Sequence, residues 1–427
     1  MKVEVEKDRS LFIGGPCAFE ILRGRGHVFG RNLKKGDKVF VPKNKAVPYC
    51  ALEKSLLEVN GGSVSEILED LIPKEWLRFS FEVSKEQKKP LKIVVLGGVD
   101  VGKTSFVVFL LNRLTQQGKK VAVIDADIGQ SDIGPPTTVG LGFAEQPTFF
   151  MSDVKVVDAF FVGLTSPAGL FHRVVLGMHR LLKEAEQLEP DVLVVDTTGW
   201  VHSRQARDLK YCVIQVVEPD YIVLLQKENE VEHLVKPYAK LGVKVVKLPA
   251  SPLVRARSRE ERHELRSEMY RKEFLGGKEV EISIDDVGIA YGFLGSGGPL
   301  SEEEKSVLSE ILGIEDFYAE IAPDVLLVLT REPVCPSEQQ VKALKETFER
   351  QEVVVTSTEE VKHLLVALQG RDGKFLGLGS LLDFDWKEKK VKIFTRVNPE
   401  DIACIQVGYI RVSPEGEEEG WVKPWPI

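Results

Sequence analysis

The sequence predicts an α/β protein with a central parallel sheet, flanked by a small β-rich N-terminal domain and a mixed, strand-rich C-terminal domain. Two observations support this prediction. Residues 1–83 contain short apolar runs separated by Gly and Lys turn signals, a spacing typical of antiparallel strands. From Leu91 onward, fully apolar runs such as KIVVLGG and VAVIDAD alternate with amphipathic segments. This alternation is typical of strands buried on both faces of a parallel sheet.

Composition shifts along the chain predict three domains, at 1–83, 91–278 and 279–427. The charged segment SKEQKKP separates the first two, and the stretch SVSEILEDLIPKEWLRF before it is expected to be helical, with an interruption at Pro73. The third region holds two predicted helices and six strand-like runs, which are EVEISIDDVGIAYGFLG, DVLLVLTRE, EVVVTS, FLGLGSLLDFDW, KVKIFTRV and QVGYIRVSPEG. One of these helices opens with SEEE, where Ser301 and Glu304 form a capping-box pattern.

Bulk composition narrows the class of protein. The chain has 427 residues, of which 43% are hydrophobic, and a formal net charge of −8, which argues against a surface that is basic overall and binds a nucleic-acid duplex. Its five cysteines form no CxxC pair, so neither a disulfide framework nor a structural zinc site is expected. The N-terminal residues lack an apolar signal core and no apolar run is long enough to span a membrane. We therefore expect a soluble protein with no membrane partner, cytoplasmic or, in a eukaryotic source, nuclear.

A glycine-rich loop lies between the apolar run KIVVL and a predicted helix from Thr104 to about Gln117. It fits the pattern GxxxxGK[ST], in which curled backbone N–H groups and a helix N-terminus bind phosphate. We expect Lys103 to contact the β- and γ-phosphates of ATP and the Thr104 hydroxyl to bind Mg²⁺. The predicted nucleotide-binding residues are Gly97, Gly98, Val99, Asp100, Val101, Gly102, Lys103, Thr104 and Ser105.

Acidic residues end two of the apolar runs. Asp125 and Asp127 are alternate residues at the end of VAVIDAD, so their side chains point the same way if the strand continues, at the edge where α/β sheets bind ligands. We expect one to bind magnesium and the other to accept a proton from an attacking hydroxyl. Asp196 follows the apolar run VLVV, as the acidic residue of a Walker B strand does, and is an alternative ligand for the metal. The alternative for each is a helix cap or turn former, and Gln130 is a weaker candidate to orient a phosphate or water.

An arginine-rich segment follows the last apolar run of the central region. Arg255, Arg259, Arg262 and Arg266 fall at i, i+4, i+7 and i+11, which places them on one face if the segment is helical. One interpretation is a solvated helix with Glu–Arg pairs. The other is a lid whose arginines neutralise a phosphoryl group during transfer.

Two further segments bear on the phosphate acceptor. Residues 160–171 place Thr165 and Ser166 around Pro167 after a strand-like run, where hydroxyls and backbone N–H groups could bind a phosphodiester. Trp200 follows the run that ends at DTTG, where its ring could stack on a base or simply pack in the core.

These motifs together resemble one known family. The order GGVDVGKTS, DADIGQSDIG, GLTSPAG, DTTGW and an arginine helix ending in YRKEFLGG, followed by FLGLGSLLDFD and QVGYIRV, is similar to the polynucleotide 5′-hydroxyl kinases. That family includes relatives of the kinase subunit of the pre-mRNA cleavage complex and of the pre-ribosomal RNA processing kinase. The resemblance implies an α/β P-loop kinase core and ATP- and Mg²⁺-dependent transfer of the γ-phosphate to the 5′-hydroxyl of RNA, and in some members DNA. It also implies a place in an RNA-processing complex.

The resemblance carries roles to matching residues. Lys103 and Thr104 match the phosphate- and magnesium-binding pair, and Asp127, the second acid of DADIGQ, matches the general base. Thr165 and Trp200 match positions that clasp the substrate strand. The catalytic lid arginines correspond best to Arg262 and Arg266.

Two other functions fit the same motifs. The chain could hold ATP without turnover, as a structural subunit of an RNA-processing assembly. It could also be a P-loop NTPase that transfers the phosphate to water.

Overall fold

A computed structural model describes residues 1–67, 71–251, 257–423 and 425–427 of the chain. The described residues form four β-sheets with helices between them, which confirms a multi-sheet α/β fold. They divide into two compact units: the first holds residues 1–134, 138–160 and 166–265, and the second holds 135–137, 161–165 and 266–427. Within the described ranges, no helix combines the length and the apolar character that crossing a membrane requires.

The N-terminal strands form a seven-stranded sheet in the order β1-β7-β2-β6-β3-β4, with β5 paired to β2. The pairs are antiparallel. Along β5, buried Val39 and Val41 alternate with exposed Lys38 and Phe40, the pattern of a sheet with one buried face. The strands are β1 (Lys2–Val5), β2 (Ser10–Arg23), β3 (Arg25–Val28), β4 (Arg31–Lys34), β5 (Lys38–Val41), β6 (Ala46–Ala51) and β7 (Ser55–Ile67).

The predicted helix over SVSEILEDLIPKEWLRF is wrong in its first part. Residues 63–67 continue strand β7, which pairs with β2 as far as Ile67 opposite Ser10, so sheet pairing decides their conformation. Helix α1 (Lys74–Lys85) begins only after Pro73, since proline is tolerated at a helix start and not in its interior. Trp76 of α1 is fully buried in the core of the central sheet.

The central sheet has the order β11-β10-β9-β12-β8-β13-β14. Strands β9, β12, β8, β13 and β14 are parallel, as predicted, while β10 runs antiparallel to β9. The strands are β8 (Leu91–Leu96), β9 (Val121–Ala126), β10 (Thr138–Ala144), β11 (Lys155–Phe161), β12 (Val192–Thr197), β13 (Tyr221–Gln226) and β14 (Lys244–Pro249). The helices that follow them are α2 (Lys103–Thr115), α3 (Phe171–Gln187), α4 (Arg204–Val217) and α5 (Lys236–Ala239).

Helix α2 packs into the main apolar core of the first unit. Trp76 of α1 meets Phe106 edge to face, with ring centroids 5.1 Å apart, and burying each such ring contributes roughly 1.5–3 kcal/mol. Asn112 of α2 donates from Nδ2 to the carbonyl oxygens of Phe29 and Thr148, both at 2.9 Å. The helix behind the glycine-rich loop is therefore fixed by both apolar and polar contacts.

The second unit contains helix α6 (Arg259–Phe274) from residue 266 onward and the C-terminal strands. One sheet has the order β15-β23-β22-β21-β24-β16, with β25 paired to β24, and another has the order β17-β18-β19-β20. The strands are β15 (Lys278–Ser283), β16 (Gly288–Ala290), β17 (Gly298–Pro299), β18 (Phe317–Ile321), β19 (Val325–Thr330), β20 (Glu352–Ser357), β21 (Leu364–Gln369), β22 (Phe375–Asp385), β23 (Lys390–Thr395), β24 (Cys404–Val412) and β25 (Glu418–Trp421).

Helices α7 (Glu302–Leu312), α8 (Glu338–Phe348) and α9 (Thr358–Val361) complete the second unit. The predicted capping box is confirmed: Ser301 Oγ accepts from the N–H of Glu304 at 3.2 Å, and the N–H of Ser301 donates to Glu304 Oε2 at 2.7 Å. Strand β21 was not predicted, although it is a central strand of its sheet.

Candidate active site

The glycine-rich loop connects β8 to the N-terminus of α2, as predicted. Gly102 adopts φ 90°, a left-handed conformation that costs glycine little. A Cβ at Gly97 would lie 2.5 Å from the carbonyl oxygen of Leu225, so only glycine fits there. Lys103 is buried, and its Nζ donates to the carbonyl oxygen of Gly98 at 2.8 Å. The loop thus has the strand–loop–helix setting of a phosphate-binding loop.

Thr104 and Asp196 form a direct pair beside this loop. Thr104 Oγ1 donates to Asp196 Oδ2 at 2.7 Å. The other oxygen, Oδ1, is buried and has no hydrogen-bond partner among the described residues. Burial raises the pKa of Asp196 to about 6, although Lys103 and the Thr104 hydrogen bond oppose the shift. An unsatisfied carboxylate oxygen next to a threonine hydroxyl fits Mg²⁺, which is usually bound by one or two carboxylates together with phosphate oxygens.

Asp125 lies opposite Asp196 in the register of β9 and β12, but its carboxylate is used differently. Oδ1 accepts from the N–H of Asp127 at 3.0 Å, and Oδ2 accepts from the N–H groups of Asp132 at 2.7 Å and Ile133 at 3.1 Å. Burial, followed by the neighbouring Asp196, raises the pKa of Asp125 well above its usual range. These contacts hold the loop after β9. The sequence analysis left open which of these acids binds a metal; Asp125 uses both oxygens on backbone N–H groups, whereas Oδ1 of Asp196 has no partner among the described residues.

Asp127 is the first residue after β9, and its side chain is partly exposed. It is close enough to Asp125 and Asp196 for its charge to raise the pKa of both. Gln130 follows in the same loop, where its Nε2 donates to the carbonyl oxygen of Arg262 at 3.3 Å. The loop thus places one accessible carboxylate beside two buried ones.

Lys210 of α4 is a residue that the sequence analysis missed. It is fully buried, and its Nζ donates to the carbonyl oxygen of Thr198 at 2.5 Å. Burial, followed by repulsion from Lys103, lowers the pKa of Lys210 to about 7, while Asp127 and Asp196 act in the opposite direction. Its signal in the sequence is its position on the apolar face of an amphipathic helix, beside Leu209 and four residues before Ile214.

Trp200 lies in the loop after β12, next to the phosphate-binding loop. A Cβ on Gly199 would be 2.8 Å from the Cα of Val99, so the two loops pack backbone to backbone. Trp200 is half-buried, and its N–H donates to Thr198 Oγ1 at 3.4 Å. This loop position is compatible with the predicted stacking on a base.

Thr165 belongs to the second unit, in the loop that follows β11, and is partly exposed. Its role in binding a substrate strand stays a prediction.

The arginines predicted to share one helix face have different partners in the structure. Arg262 Nη2 lies 2.6 Å from Oδ2 of Asp100 in the phosphate-binding loop. Arg266 instead forms a two-point ion pair within the second unit, from Nε and Nη2 to the two carboxylate oxygens of Glu418 at 2.6 and 2.9 Å. This pair is largely buried and its partner lies in β25, so it is not one of the solvated Glu–Arg pairs expected within the arginine-rich segment. Arg255 lies outside the described residues.

Comparisons with known proteins identify the family. A family model described as the P-loop of mRNA cleavage and polyadenylation factor CLP1 matches residues 97–276. A polyribonucleotide 5′-hydroxyl-kinase of Methanocaldococcus jannaschii is 33% identical over 339 residues, which cover 79% of this chain and 91% of that protein. The chain belongs to the polyribonucleotide 5′-hydroxyl-kinase family. This confirms the resemblance inferred from the motifs.

A second relative agrees with this placement, and a solved structure shares the fold. A polyribonucleotide 5′-hydroxyl-kinase of Pyrococcus furiosus is 33% identical over 334 residues, covering 78% of this chain and 91% of that protein. The structure of a wild-type Clp1p–Pcf11p complex contains a chain with 14% sequence identity and a TM-score of 0.65. The match covers 96% of this chain and 97% of that one, and at this identity it establishes a shared fold.

Proposed function

We propose that this protein is an ATP- and Mg²⁺-dependent polyribonucleotide 5′-hydroxyl kinase, which transfers the γ-phosphate of ATP to the 5′-hydroxyl of RNA. The observation that carries the proposal is the grouping of Lys103, Thr104 and Asp196 at a phosphate-binding loop, in a chain that belongs to this kinase family. DNA with a 5′-hydroxyl end is a second acceptor to be tested.

The phosphate-binding loop binds the nucleotide. Backbone N–H groups of residues 97–104 and the N-terminus of α2 surround the phosphates. Lys103 exchanges its contact with the Gly98 carbonyl oxygen for the β- and γ-phosphate oxygens. Thr104 and Asp196 would hold Mg²⁺, which supplies positive charge to the β- and γ-phosphates.

Asp127 acts on the acceptor. The 5′-oxygen of RNA forms a bond to the γ-phosphorus while the bond from that phosphorus to the β–γ bridging oxygen breaks, and ADP leaves. The Asp127 carboxylate accepts the proton of the hydroxyl. Its partial exposure suits contact with a substrate, whereas Asp125 and Asp196 are buried. Arg262 supplies a guanidinium to the transferring phosphoryl group.

The acceptor strand is held next to the nucleotide. Trp200 stacks on a base near the 5′ end, because its loop packs against the phosphate-binding loop through Gly199 and Val99. The role of Thr165 in binding the strand stays a prediction that rests on the family resemblance. Membership of an RNA-processing complex remains a prediction.

The decisive experiment mixes the protein with γ-labelled ATP, Mg²⁺ and an oligoribonucleotide with a 5′-hydroxyl. Label on the oligonucleotide supports the kinase, whereas free phosphate alone supports a P-loop NTPase. Bound, unhydrolysed ATP supports a non-catalytic subunit. The Lys103→Ala variant is the control, and it should abolish transfer while leaving the thermal unfolding midpoint nearly unchanged. A 5′-phosphorylated oligonucleotide should accept no label, and a matching DNA oligonucleotide tests the second acceptor.

A further inference from the structure

The phosphate-binding loop contains an acidic residue, Asp100, although the loop is expected to bind the anionic phosphates of ATP. Asp100 lies in the middle of the loop with φ 53°, a left-handed conformation in which Asp and Asn are tolerated better than other side chains with a Cβ. A carboxylate here repels the phosphates of ATP, because like charges at short range are unfavourable. The residue therefore needs a role that outweighs this repulsion.

Asp100 binds the start of the arginine helix. Its Oδ2 accepts a hydrogen bond from Nη2 of Arg262 at 2.6 Å and from the backbone N–H of Arg257 at 3.1 Å. The Asp100 and Arg262 side chains are only 21% and 29% exposed. Gln130, in the loop after β9, donates to the carbonyl oxygen of Arg262. Asp100 thus holds the Arg262 guanidinium at the phosphate-binding loop, and Gln130 holds the Arg262 backbone at the loop after β9.

We propose that Asp100 is a positioning residue, which holds Arg262 at the phosphate-binding loop and releases it to the transferring phosphoryl group. The inference rests on the proposed kinase function and adds to it. Fixing a long arginine side chain before the reaction lowers the entropy cost of placing it during the reaction. Asp100 also competes with ATP for the guanidinium. Arg262 is therefore withheld from the ground-state phosphate and contributes more when charge develops in the transition state.

The test combines kinetics with a double-mutant cycle. Asp100→Asn keeps a side chain that tolerates the left-handed conformation and removes the charge, and Asp100→Gly keeps the loop conformation without any side chain. We expect both variants to lower kcat about 10- to 100-fold without raising KM for ATP, because a repulsive charge is lost near the phosphates. Arg262→Gln should lower kcat at least as much. Adding Asp100→Asn to Arg262→Gln should lower kcat no further, since both changes remove one interaction.

Arg271 provides the matched control. It lies on the same helix and pairs with Glu417 in the second unit, so the effect of Arg271→Gln should simply multiply with that of Asp100→Asn. The thermal unfolding midpoints of the same variants measure how much the Asp100–Arg262 ion pair stabilises the nucleotide-free protein. Coupling between Asp100 and Arg262 is expected in both the midpoints and kcat.

Three results would overturn the inference: a raised KM for ATP with unchanged kcat, independent effects of the two residues on kcat, or coupling in the unfolding midpoint alone. The last of these would identify a purely structural ion pair. The wild-type protein separates this inference from the function on which it rests. If wild-type protein transfers no label to RNA, the kinase proposal itself fails. If the wild type is active but the Asp100 and Arg262 substitutions affect kcat independently, only the role of Asp100 is overturned.

Discussion

Thr104 Oγ1 donates a 2.7 Å hydrogen bond to Asp196 Oδ2, joining the first turn of α2 to the end of the neighbouring strand β12. The second oxygen of Asp196 is buried and unpaired within the described part of the chain. A buried carboxylate in this state weakens the folded protein unless something binds it. Active sites often contain destabilising groups of this kind, because binding and catalysis require them.

Replacing Asp196 by Asn should stabilise the protein at neutral pH and abolish transfer. The folded-state pKa of about 6 lies above the usual value of 3.8, so the folded protein binds this proton more tightly than the unfolded chain does. The resulting contribution to the free energy of unfolding is fully present below pH 3.8 and is lost as pH rises through 6. In Asp196→Asn this loss disappears, and above pH 6 the variant should gain up to about 3 kcal/mol in free energy of unfolding. Chemical denaturation at several pH values, in EDTA, measures it.

Thr104→Ser is the control for Asp196→Asn, because it keeps the hydroxyl and should retain transfer. A variant less stable than wild type above pH 6 would contradict the assignment of an unsatisfied, destabilising carboxylate. Retained Mg²⁺-dependent transfer in Asp196→Asn would contradict its metal role.

Asp125→Asn should mainly lower stability, whereas Asp127→Asn should mainly lower kcat. The Asp125 carboxylate accepts three backbone N–H groups, and an amide nitrogen in its place would face donors. We expect Asp125→Asn to lower the free energy of unfolding by roughly 1–3 kcal/mol or more. Asp127→Asn should leave stability nearly unchanged and lower kcat roughly 10²- to 10⁴-fold, as loss of a general base does. Denaturation curves and single-turnover kinetics separate the two. Equal stability losses would refute the distinction.

Lys210→Met should change the pH dependence of stability. The folded-state pKa of about 7 lies below the usual value of 10.5, so burial of the ammonium group destabilises the fold below pH 7. That destabilisation is relieved as pH rises from 7 towards 10.5, with a slope of up to about 1.4 kcal/mol per pH unit. Lys210→Met should lose this slope. Denaturation between pH 7 and 10 measures it, and an identical slope in both proteins would argue against a buried, titrating Lys210.

Lys210→Met should also loosen the loop that carries Trp200, since Nζ holds the carbonyl oxygen of Thr198. We expect KM for the oligonucleotide to rise more than KM for ATP. Lys210→Arg, which keeps a donor at greater volume, tests whether the hydrogen bond or the packing matters. A rise confined to KM for ATP would place the effect at the phosphate-binding loop instead.

Trp200→Ala should weaken RNA binding, because loss of one base–aromatic stack costs about 1–3 kcal/mol. KM for the oligonucleotide should therefore rise roughly 5- to 150-fold, with little change in KM for ATP. Trp200→Phe should restore most of the affinity. Trp421→Ala is the matched control, since Trp421 is 60% exposed in β25, and it should have no effect. Unfolding of Trp200→Ala would instead support a packing role.

The parallel core and its phosphate-binding loop could be predicted because their signals are local. Strands β8, β9, β12 and β13 each contain an unbroken apolar run, and the loop motif is read from eight consecutive residues. Segments whose conformation depends on a distant partner were harder. Residues 63–67 were predicted to be helical but pair with β2. Strand β21 was not predicted, and in the sheet it lies between β22 and β24.

By itself, the sequence determined the family, the parallel core and the glycine-rich loop between β8 and α2, because each of these is encoded in contiguous motifs. Only the tertiary structure decided which carboxylate faces Thr104, that Arg262 pairs with Asp100 while Arg266 pairs with Glu418, and that Lys210 is buried near the site. The reason is physical. Hydrogen bonds, ion pairs and burial depend on distances between residues far apart in the chain, which only the packing of strands and helices sets.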